Sequence, residues 1–94
     1  MFDVQATAEG DLRLSGRLDA VSVPVAREAL ARVSTTCRLD CTDLEYIASA
    51  GLGLLAATQR RLMQQGQGLI LCNLNPHLRE VMSLAGFEGI FEFA

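Results

Sequence analysis

Apolar and polar residues alternate along several short segments of this chain, as they do in β-strands. FDVQA alternates from residue 2, the pair Glu9-Gly10 signals a turn, and LRLSG continues the alternation, so a hairpin is predicted over residues 2–16. CRLDC alternates again from residue 37, whereas LILC at 69–72 is apolar throughout, as in a strand covered on both faces. IFEF predicts a last strand. We therefore expect LILC to lie at the centre of the sheet.

Three segments between these strands have their apolar residues at helical spacing. SVPVAREALARV has Ser22 as a candidate cap and Pro24 in its first turn, and NPHLREVMSLAGF has Asn75 as a cap and Pro76 in the first helical position. Another helix is predicted from about residue 50 to 65. Its predicted apolar stripe is Leu52, Leu55, Ala56, Leu62 and Met63, and its predicted solvent-facing residues are Arg60, Arg61, Gln64 and Gln65.

The predicted elements follow one another in the order β-β-α-β-α-β-α-β. A strand-helix-strand step favours parallel neighbouring strands joined by a right-handed crossover. The chain has 94 residues, of which half are apolar, and this is enough for one small core but not for a second domain. The sequence therefore predicts an α/β fold: a single domain over residues 1–94, with a mixed five-strand sheet packed against about three helices.

Charge and hydropathy exclude several classes of function. The net charge is −3 and no basic stripe is visible, so a nucleic acid or an anionic membrane surface is not expected as a partner. No apolar run approaches the roughly 18 residues that a membrane span needs, and the start of the chain lacks the pattern of a secretory signal. We therefore expect a cytoplasmic protein.

The three cysteines, Cys37, Cys41 and Cys72, all fall within predicted strands, where a thiol usually behaves as a small buried apolar group. A zinc site needs about four ligands. The only additional nitrogen ligand is His77, and no Cys-x-x-Cys pair is present. We expect reduced, buried thiols, no metal site and no cofactor.

A serine stands at the predicted junction between a strand and the second helix, within YIASAGLGLL. Ser49 can act there as a helix cap, which typically contributes about 1 kcal/mol. However, Gly51 and Gly53 follow in the first turn, and each costs a helix interior about 1 kcal/mol relative to alanine. Residue 52 is not the Glu or Gln that completes a capping box. Small residues here would let another backbone approach Ser49 closely, which favours a binding site.

Two catalytic interpretations of the same segment are weak. Residues 51–56 match the Gly-x-Gly-x-x-Ala dinucleotide fingerprint, but no acidic residue lies at 70–74 and a second nucleotide-binding half is missing. ASAG is similar to a nucleophile elbow, but it lacks the preceding glycine, and His77 is the only histidine that could act as a base. We expect no enzymatic activity. The remaining interpretation is that Ser49 is modified, because a phosphate there would lie at the positive end of a helix dipole.

Three segments together resemble the STAS domain of bacterial anti-sigma factor antagonists: GRLDAVSVPVAREAL, RLDCTDLEYIASAGLGLLAATQRRL and GLILCNLNPHLREVMSLAGFEGIF. The resemblance covers about residues 10–91. The family's Gly-x-Leu/Ile-Asp element matches residues 16–19, its Leu-Asp strand matches Leu39 and Asp40, and its acceptor serine followed by Gly-Leu matches residues 49–52. This sequence departs from the family pattern at Ala48, where many members carry aspartate or serine.

The resemblance implies a switch protein that is not an enzyme. In its unphosphorylated form it would bind an anti-sigma factor, commonly a serine kinase of the histidine-kinase-like ATPase type, and so release a sigma factor. Phosphorylation of Ser49 would end binding, and a phosphatase would restore it. The implied contact surface consists of Asp19, Ser49, Gly51, Leu52 and Gly53.

Other functions within the same family stay open. One is a STAS subunit that docks constitutively on a lipid-transport or other transporter complex and is never phosphorylated. Another is a partner switch whose output is not a sigma factor. In the family a further helix usually follows the last strand, whereas this sequence ends at Ala94 with Ile90, Phe91 and Phe93 on both faces of that strand. We therefore expect the last strand to take part in a weak homodimer.

Overall fold

A computed structural model of the chain describes residues 1–87 and 89–94. These residues contain five strands and three helices in the order that the sequence predicts. The strands are β1 (Asp3–Ala6), β2 (Leu12–Leu18), β3 (Cys37–Ile47), β4 (Leu69–Cys72) and β5 (Glu92–Phe93). The helices are α1 (Val23–Ala31), α2 (Ser49–Met63) and α3 (Pro76–Leu84). The expected small α/β fold is thereby confirmed.

The five strands form one sheet in the order β1-β2-β3-β4-β5. β1 and β2 pair antiparallel as the predicted hairpin, and the later pairs are parallel. The expectation that LILC is central is wrong, because β3 occupies the centre and β4 lies one strand from the edge. Two different contacts accommodate the apolar residues of LILC. Leu69 and Leu71 face the core. Cys72 is approached by the side chain of Arg38, whose Nη1 atom lies 3.6 Å from Sγ.

Strand β3 contains two irregularities, and its apolar residues face the core on both sides of each of them. Its pairing with β2 shifts register once between Arg13 and Ser15 and again between Gly16 and Arg17. Each shift adds a residue to β3, as a β-bulge does. As a result Leu44 and Ile47 face the core although the two-residue alternation is interrupted twice. The bulges explain why the sequence pattern is regular only at the start of this strand.

All three helices pack on one face of the sheet. Their buried residues form a single core with the apolar side chains of β2, β3 and β4; the helical contributors are Val23, Ala26, Leu30, Leu55, Leu62, Leu78 and Met82. The opposite face carries polar pairs, among them Arg13 with Asp40 and Arg17 with Tyr46. The side chain of Arg13 is 54% exposed, so this face is open to solvent.

Helix α2 differs from its predicted apolar stripe. Leu55 and Leu62 are buried, but Met63 is 60% exposed, and Leu52 and Ala56 are only partly buried. Arg61 does not simply face water as expected. Its Nη1 and Nη2 atoms donate hydrogen bonds to the carbonyl oxygens of residues 33 and 30, at 2.8 and 2.9 Å. Residue 30 lies in the last turn of α1 and residue 33 follows that helix, so the arginine joins α2 to the end of α1.

Gln59 takes the buried place on α2 that the sequence pattern assigned to apolar residues. Its Oε1 atom accepts a hydrogen bond from the Leu69 backbone N–H at 2.7 Å, and its Nε2 atom donates to the Ile90 carbonyl at 2.8 Å. Gln59 therefore connects α2 to the start of β4 and to the segment before β5.

The end regions of the elements confirm some predictions and correct others. Asn75 caps α3, since its side chain accepts a hydrogen bond from the Leu78 N–H at 2.8 Å. Ser22 makes no such cap for α1. The last strand is limited to Glu92–Phe93, and Ile90 precedes it in a turn, where it is 40% exposed. The weak homodimer expected at this segment stays a prediction.

The three cysteines are free and buried, as expected.

Candidate functional site at the start of helix α2

Ser49 is the first residue of α2 and is exposed to solvent. Ala48 occupies the N-cap position with an extended backbone, at φ −86° and ψ 169°, and no side chain caps the helix. The interpretation of Ser49 as the cap is therefore wrong: the capping position is one residue earlier, at a residue without a side-chain oxygen. Ser49 belongs to the first turn of α2, whose backbone N–H groups lack acceptors within the helix.

The two glycines of this turn have different surroundings. Gly51 is buried, and a Cβ atom at this position would lie 2.7 Å from Leu18 Cγ and 3.0 Å from the Leu18 carbonyl oxygen. Gly53 is exposed, with no atom within 4 Å of the same position. The packing of α2 against β2 thus explains Gly51. It does not explain Gly53, whose open surroundings leave room for another molecule.

Asp19 organises the loop between β2 and α1. Its Oδ1 atom accepts hydrogen bonds from the backbone N–H groups of Val21 and Ser22, both at 3.1 Å. The Ser22 hydroxyl accepts a bond from the Asp19 N–H at 2.9 Å and donates to the Arg17 carbonyl, also at 2.9 Å. Hydrogen bonds from Ser22, first from its backbone and then from its hydroxyl, lower the pKa of Asp19. The carboxylate is thus an ordered part of the turn.

The loop and the start of α2 are held together at the ends of two parallel strands. The Ala48 N–H donates to the Leu18 carbonyl at 2.8 Å, which joins the residue before Asp19 to the residue before Ser49. Leu52 is partly buried and packs against the core. Of the five predicted site residues, Asp19, Ser49 and Gly53 reach the accessible surface at this edge, whereas Gly51 and much of Leu52 serve internal packing.

Two further features of this edge were not singled out from the sequence. Val21 is 89% exposed although the hydrogen bonds to Asp19 order its turn. On the uncovered face of the sheet, the guanidinium carbon of Arg17 lies 4.3 Å from the centroid of the Tyr46 ring, a cation–π distance. The exposure of Val21 could have been suspected from the sequence, because this apolar residue stands between Asp19 and Ser22, two residues that favour turns. The Arg17–Tyr46 pair depends on the register of two strands distant in sequence.

Two kinds of site are not seen in the described residues. No three His, Cys, Asp or Glu side chains among residues 1–87 and 89–94 lie together as metal ligands would. Within the same ranges, each helix is too short or too polar to cross a membrane.

Comparison with known proteins places the chain in a family. The family model described as "Mlab, STAS domain" matches residues 1–92. The chain is a STAS domain. The resemblance inferred from the sequence motifs is thereby confirmed.

Relatives of this STAS domain include bacterial anti-sigma factor antagonists. The anti-sigma-B factor antagonist of Bacillus subtilis is 31% identical over 91 residues, which cover 92% of this chain and 84% of that protein. A Bordetella bronchiseptica protein with the provisional name anti-sigma factor antagonist BtrV is 45% identical over 56 residues, or 60% of this chain. The aligned part spans 48% of the Bordetella protein, about half its length.

Solved structures share the fold of this STAS domain. The anti-sigma factor antagonist SpoIIAA in its unphosphorylated form superposes with a TM-score of 0.75 at 24% identity, covering 100% of this chain and 88% of that chain. The Bacillus cell fate determinant SpoIIAA in its phosphorylated form gives a TM-score of 0.71 at 23% identity, covering 100% and 91%. At these identities the likeness concerns the fold.

Proposed function

We propose that this STAS domain is an anti-sigma factor antagonist controlled by phosphorylation of Ser49. The observation that carries the proposal is the exposed Ser49 hydroxyl at the start of α2, which caps no helix. The names of the Bacillus subtilis and Bordetella relatives support the same role. The partner is an anti-sigma factor that is also a serine kinase of the histidine-kinase-like ATPase type. The protein acts in the cytoplasm, where sigma factors meet RNA polymerase, as a binding partner and kinase substrate and not as an enzyme.

The switch depends on charge at the contact surface. The kinase transfers the γ-phosphoryl group of ATP to Ser49 Oγ; the hydroxyl proton passes to a base of the kinase and ADP leaves. The product carries about −1.5 to −2 additional charge at pH 7. At the first helical position this charge interacts favourably with the dipole of α2, by typically 0.3–1 kcal/mol, so the modified domain stays folded. Binding of the partner weakens because the phosphate would have to lose water inside the interface.

A phosphatase reverses the modification by hydrolysing the phosphoserine, which restores the hydroxyl and releases inorganic phosphate.

Ala48 affects the efficiency of phosphorylation and of dephosphorylation, because it places no carboxylate or hydroxyl directly before the acceptor, where many family members carry one. A neutral neighbour removes electrostatic repulsion of the incoming phosphate, but it also removes a hydrogen-bonding group that the kinase could contact.

Phosphorylation by the cognate kinase tests this proposal directly. The tagged Ser49→Ala domain, expected to bind without being released, is used to isolate its partner from the native cells. The wild-type domain is then incubated with that partner and ATP, and mass spectrometry is expected to place a single phosphate on Ser49. Ser49→Asp is expected to bind the partner at least tenfold more weakly than Ser49→Ala, a difference of about 1.4 kcal/mol.

Other outcomes would contradict the proposal in different ways. Phosphate on Ser34 or Ser83, both exposed, would show that another hydroxyl is the acceptor. Ser83→Ala is the matched control, because it removes an exposed serine from a different helix and is expected to leave phosphorylation unchanged. A partner without a kinase domain that binds Ser49→Ala and Ser49→Asp equally would indicate a constitutive subunit of another complex.

A further inference from the structure

Positive charge is concentrated in the two segments that contain helices α1 and α2. Residues 20–35 and 48–66 together contain four arginines and one glutamate, a net charge of +3. The rest of the chain contains four arginines and ten carboxylates, a net charge of −6. The segments of α1 and α2 are therefore basic in a protein whose net charge is −3.

Within residues 1–87 and 89–94, two of these four arginines are exposed and form no ion pair. Arg61 is occupied by the carbonyl groups at the end of α1, and Arg32 forms an ion pair with Glu28 at 3.1 Å. Arg27 and Arg60 are exposed. Among the residues that the structure describes, neither has a carboxylate within ion-pair distance.

The exposed surface near Ser49 consists of uncharged residues and one carboxylate. The exposed uncharged residues are Val21, Pro24, Ala50, Gly53 and Ala57. The carboxylate is that of Asp19, which is partly exposed and accepts hydrogen bonds from the backbone N–H groups of Val21 and Ser22. Arg60 follows Ser49 by eleven residues, which corresponds to about 16 Å along a helix. We call the exposed surface of α1 and α2, with Ser49 at the start of α2 and with Arg27 and Arg60 further along the two helices, the helical face.

We infer that the partner presents an acidic surface next to its Ser49 contact, and that Arg27 and Arg60 direct it onto the helical face. The inference rests on the proposed function and specifies the chemistry of its partner. A protein with net charge −3 repels an acidic surface everywhere except where cations dominate, so the charge distribution selects one orientation of approach. Arginine is also enriched at protein interfaces, where lysine is depleted.

The arginines and the phosphate are expected to change different measured quantities, namely the association rate and the affinity. At physiological ionic strength charges are screened over about 8 Å, and the rise of about 16 Å along α2 from Ser49 to Arg60 is about two screening lengths. The phosphate changes the contact itself and therefore the ratio of affinities between Ser49→Ala and Ser49→Asp. The arginines act before contact and therefore change the association rate and its dependence on salt.

The experiment compares two double variants with the same loss of charge. Arg27→Gln with Arg60→Gln neutralises the helical face, and Arg13→Gln with Arg38→Gln neutralises two cations on the uncovered face of the sheet. Both are made in the Ser49→Ala background and mixed with the kinase partner at low ionic strength. The helical variant is expected to associate about tenfold more slowly, a change that added salt abolishes, while the sheet variant changes less than about twofold.

The outcomes separate this inference from the proposed function. Equal association rates for the two double variants would overturn the inference while leaving the phosphorylation switch intact. Equal affinity of Ser49→Ala and Ser49→Asp would overturn the switch whatever the arginines do. Immobilised poly-L-glutamate serves as a probe that needs no cellular partner. At low salt it is expected to retain the sheet variant longer than the helical variant, and identical elution of the two would also contradict the inference.

Discussion

At the scale of single residues, the first turn of α2 contains two glycines with opposite expected responses to substitution. A methyl group on Gly51 would lie 2.7 Å from a buried leucine side chain, whereas one on Gly53 would meet nothing within 4 Å. Glycine lowers helix stability by about 1 kcal/mol relative to alanine. The same substitution therefore gains helix propensity at both positions but creates a steric conflict at only one.

We expect Gly53→Ala to raise the free energy of unfolding by about 0.5–1 kcal/mol. Gly51→Ala is expected to lower it by about 1–2 kcal/mol, because overpacking of a core costs more than the helix gains. Urea unfolding followed by circular dichroism measures both. Each variant is the control for the other, and equal stabilisation would show that Leu18 moves aside without cost. The stabilised Gly53→Ala domain is also expected to bind its partner more weakly, since the added methyl group occupies the open space.

The buried thiol of Cys41 is expected to make the folded protein less stable at alkaline pH. Burial is the main cause that raises the pKa of this thiol to about 12. A folded-state pKa above the value of 9.0 for the free thiol means that the folded state holds the proton more tightly. The resulting stabilisation is complete below pH 9 and is lost as the pH rises towards 12.

Unfolding in urea at pH 8.5 and pH 10.5 tests this dependence. We expect the free energy of unfolding to fall between the two values, and to fall less in Cys41→Ala, in which the group that titrates is absent. Cys37→Ala is the comparison, because burial also raises the pKa of Cys37. The same drop in Cys41→Ala as in the wild-type protein would contradict the assignment.

At the scale of elements, α2 is held in place by polar side chains as well as by its leucines. Gln59 bonds to both β4 and the segment before β5, and Arg61 bonds to the end of α1. The elements themselves could be predicted because alternation and helical spacing are local properties of the sequence. The buried Gln59 could not, because its partners are backbone groups brought close only by the fold. The bulges of β3 have the same origin, since they depend on pairing with β2.

Replacement of Gln59 by leucine is expected to lower the free energy of unfolding by about 1–3 kcal/mol. The reason is that the substitution removes the hydrogen-bond partner of the buried Leu69 N–H and of the partly buried Ile90 carbonyl. Gln64→Leu is the matched control: Gln64 is the exposed C-cap residue of the same helix, and a change within about 0.5 kcal/mol is expected there. Thermal and urea unfolding of the two variants give the comparison. Equal stability would show that water replaces both hydrogen bonds of Gln59.

At the scale of the whole molecule, the helices cover one face of the sheet and leave the other to polar residues. The fold class and family followed from the sequence, because motifs such as GRLD and RLD stand in the expected order. The site was predicted less completely. Ser49 is exposed as a phosphoacceptor must be, but the exposure of Val21 and the internal role of Gly51 depend on how the loop after β2 packs against α2. These contacts join residues about 30 positions apart, beyond the reach of any local pattern.

The strand order has a consequence for how the protein is made. Each strand pairs only with the strands immediately before and after it in the chain. A polypeptide leaving the ribosome can therefore add every new strand to an edge that already exists, and no strand has to enter between two that have paired. Helix α2 is synthesised after β2 and β3, whose ends support its first turn. During translation, Ser49 is therefore made after both of the strands whose ends support the first turn of its helix.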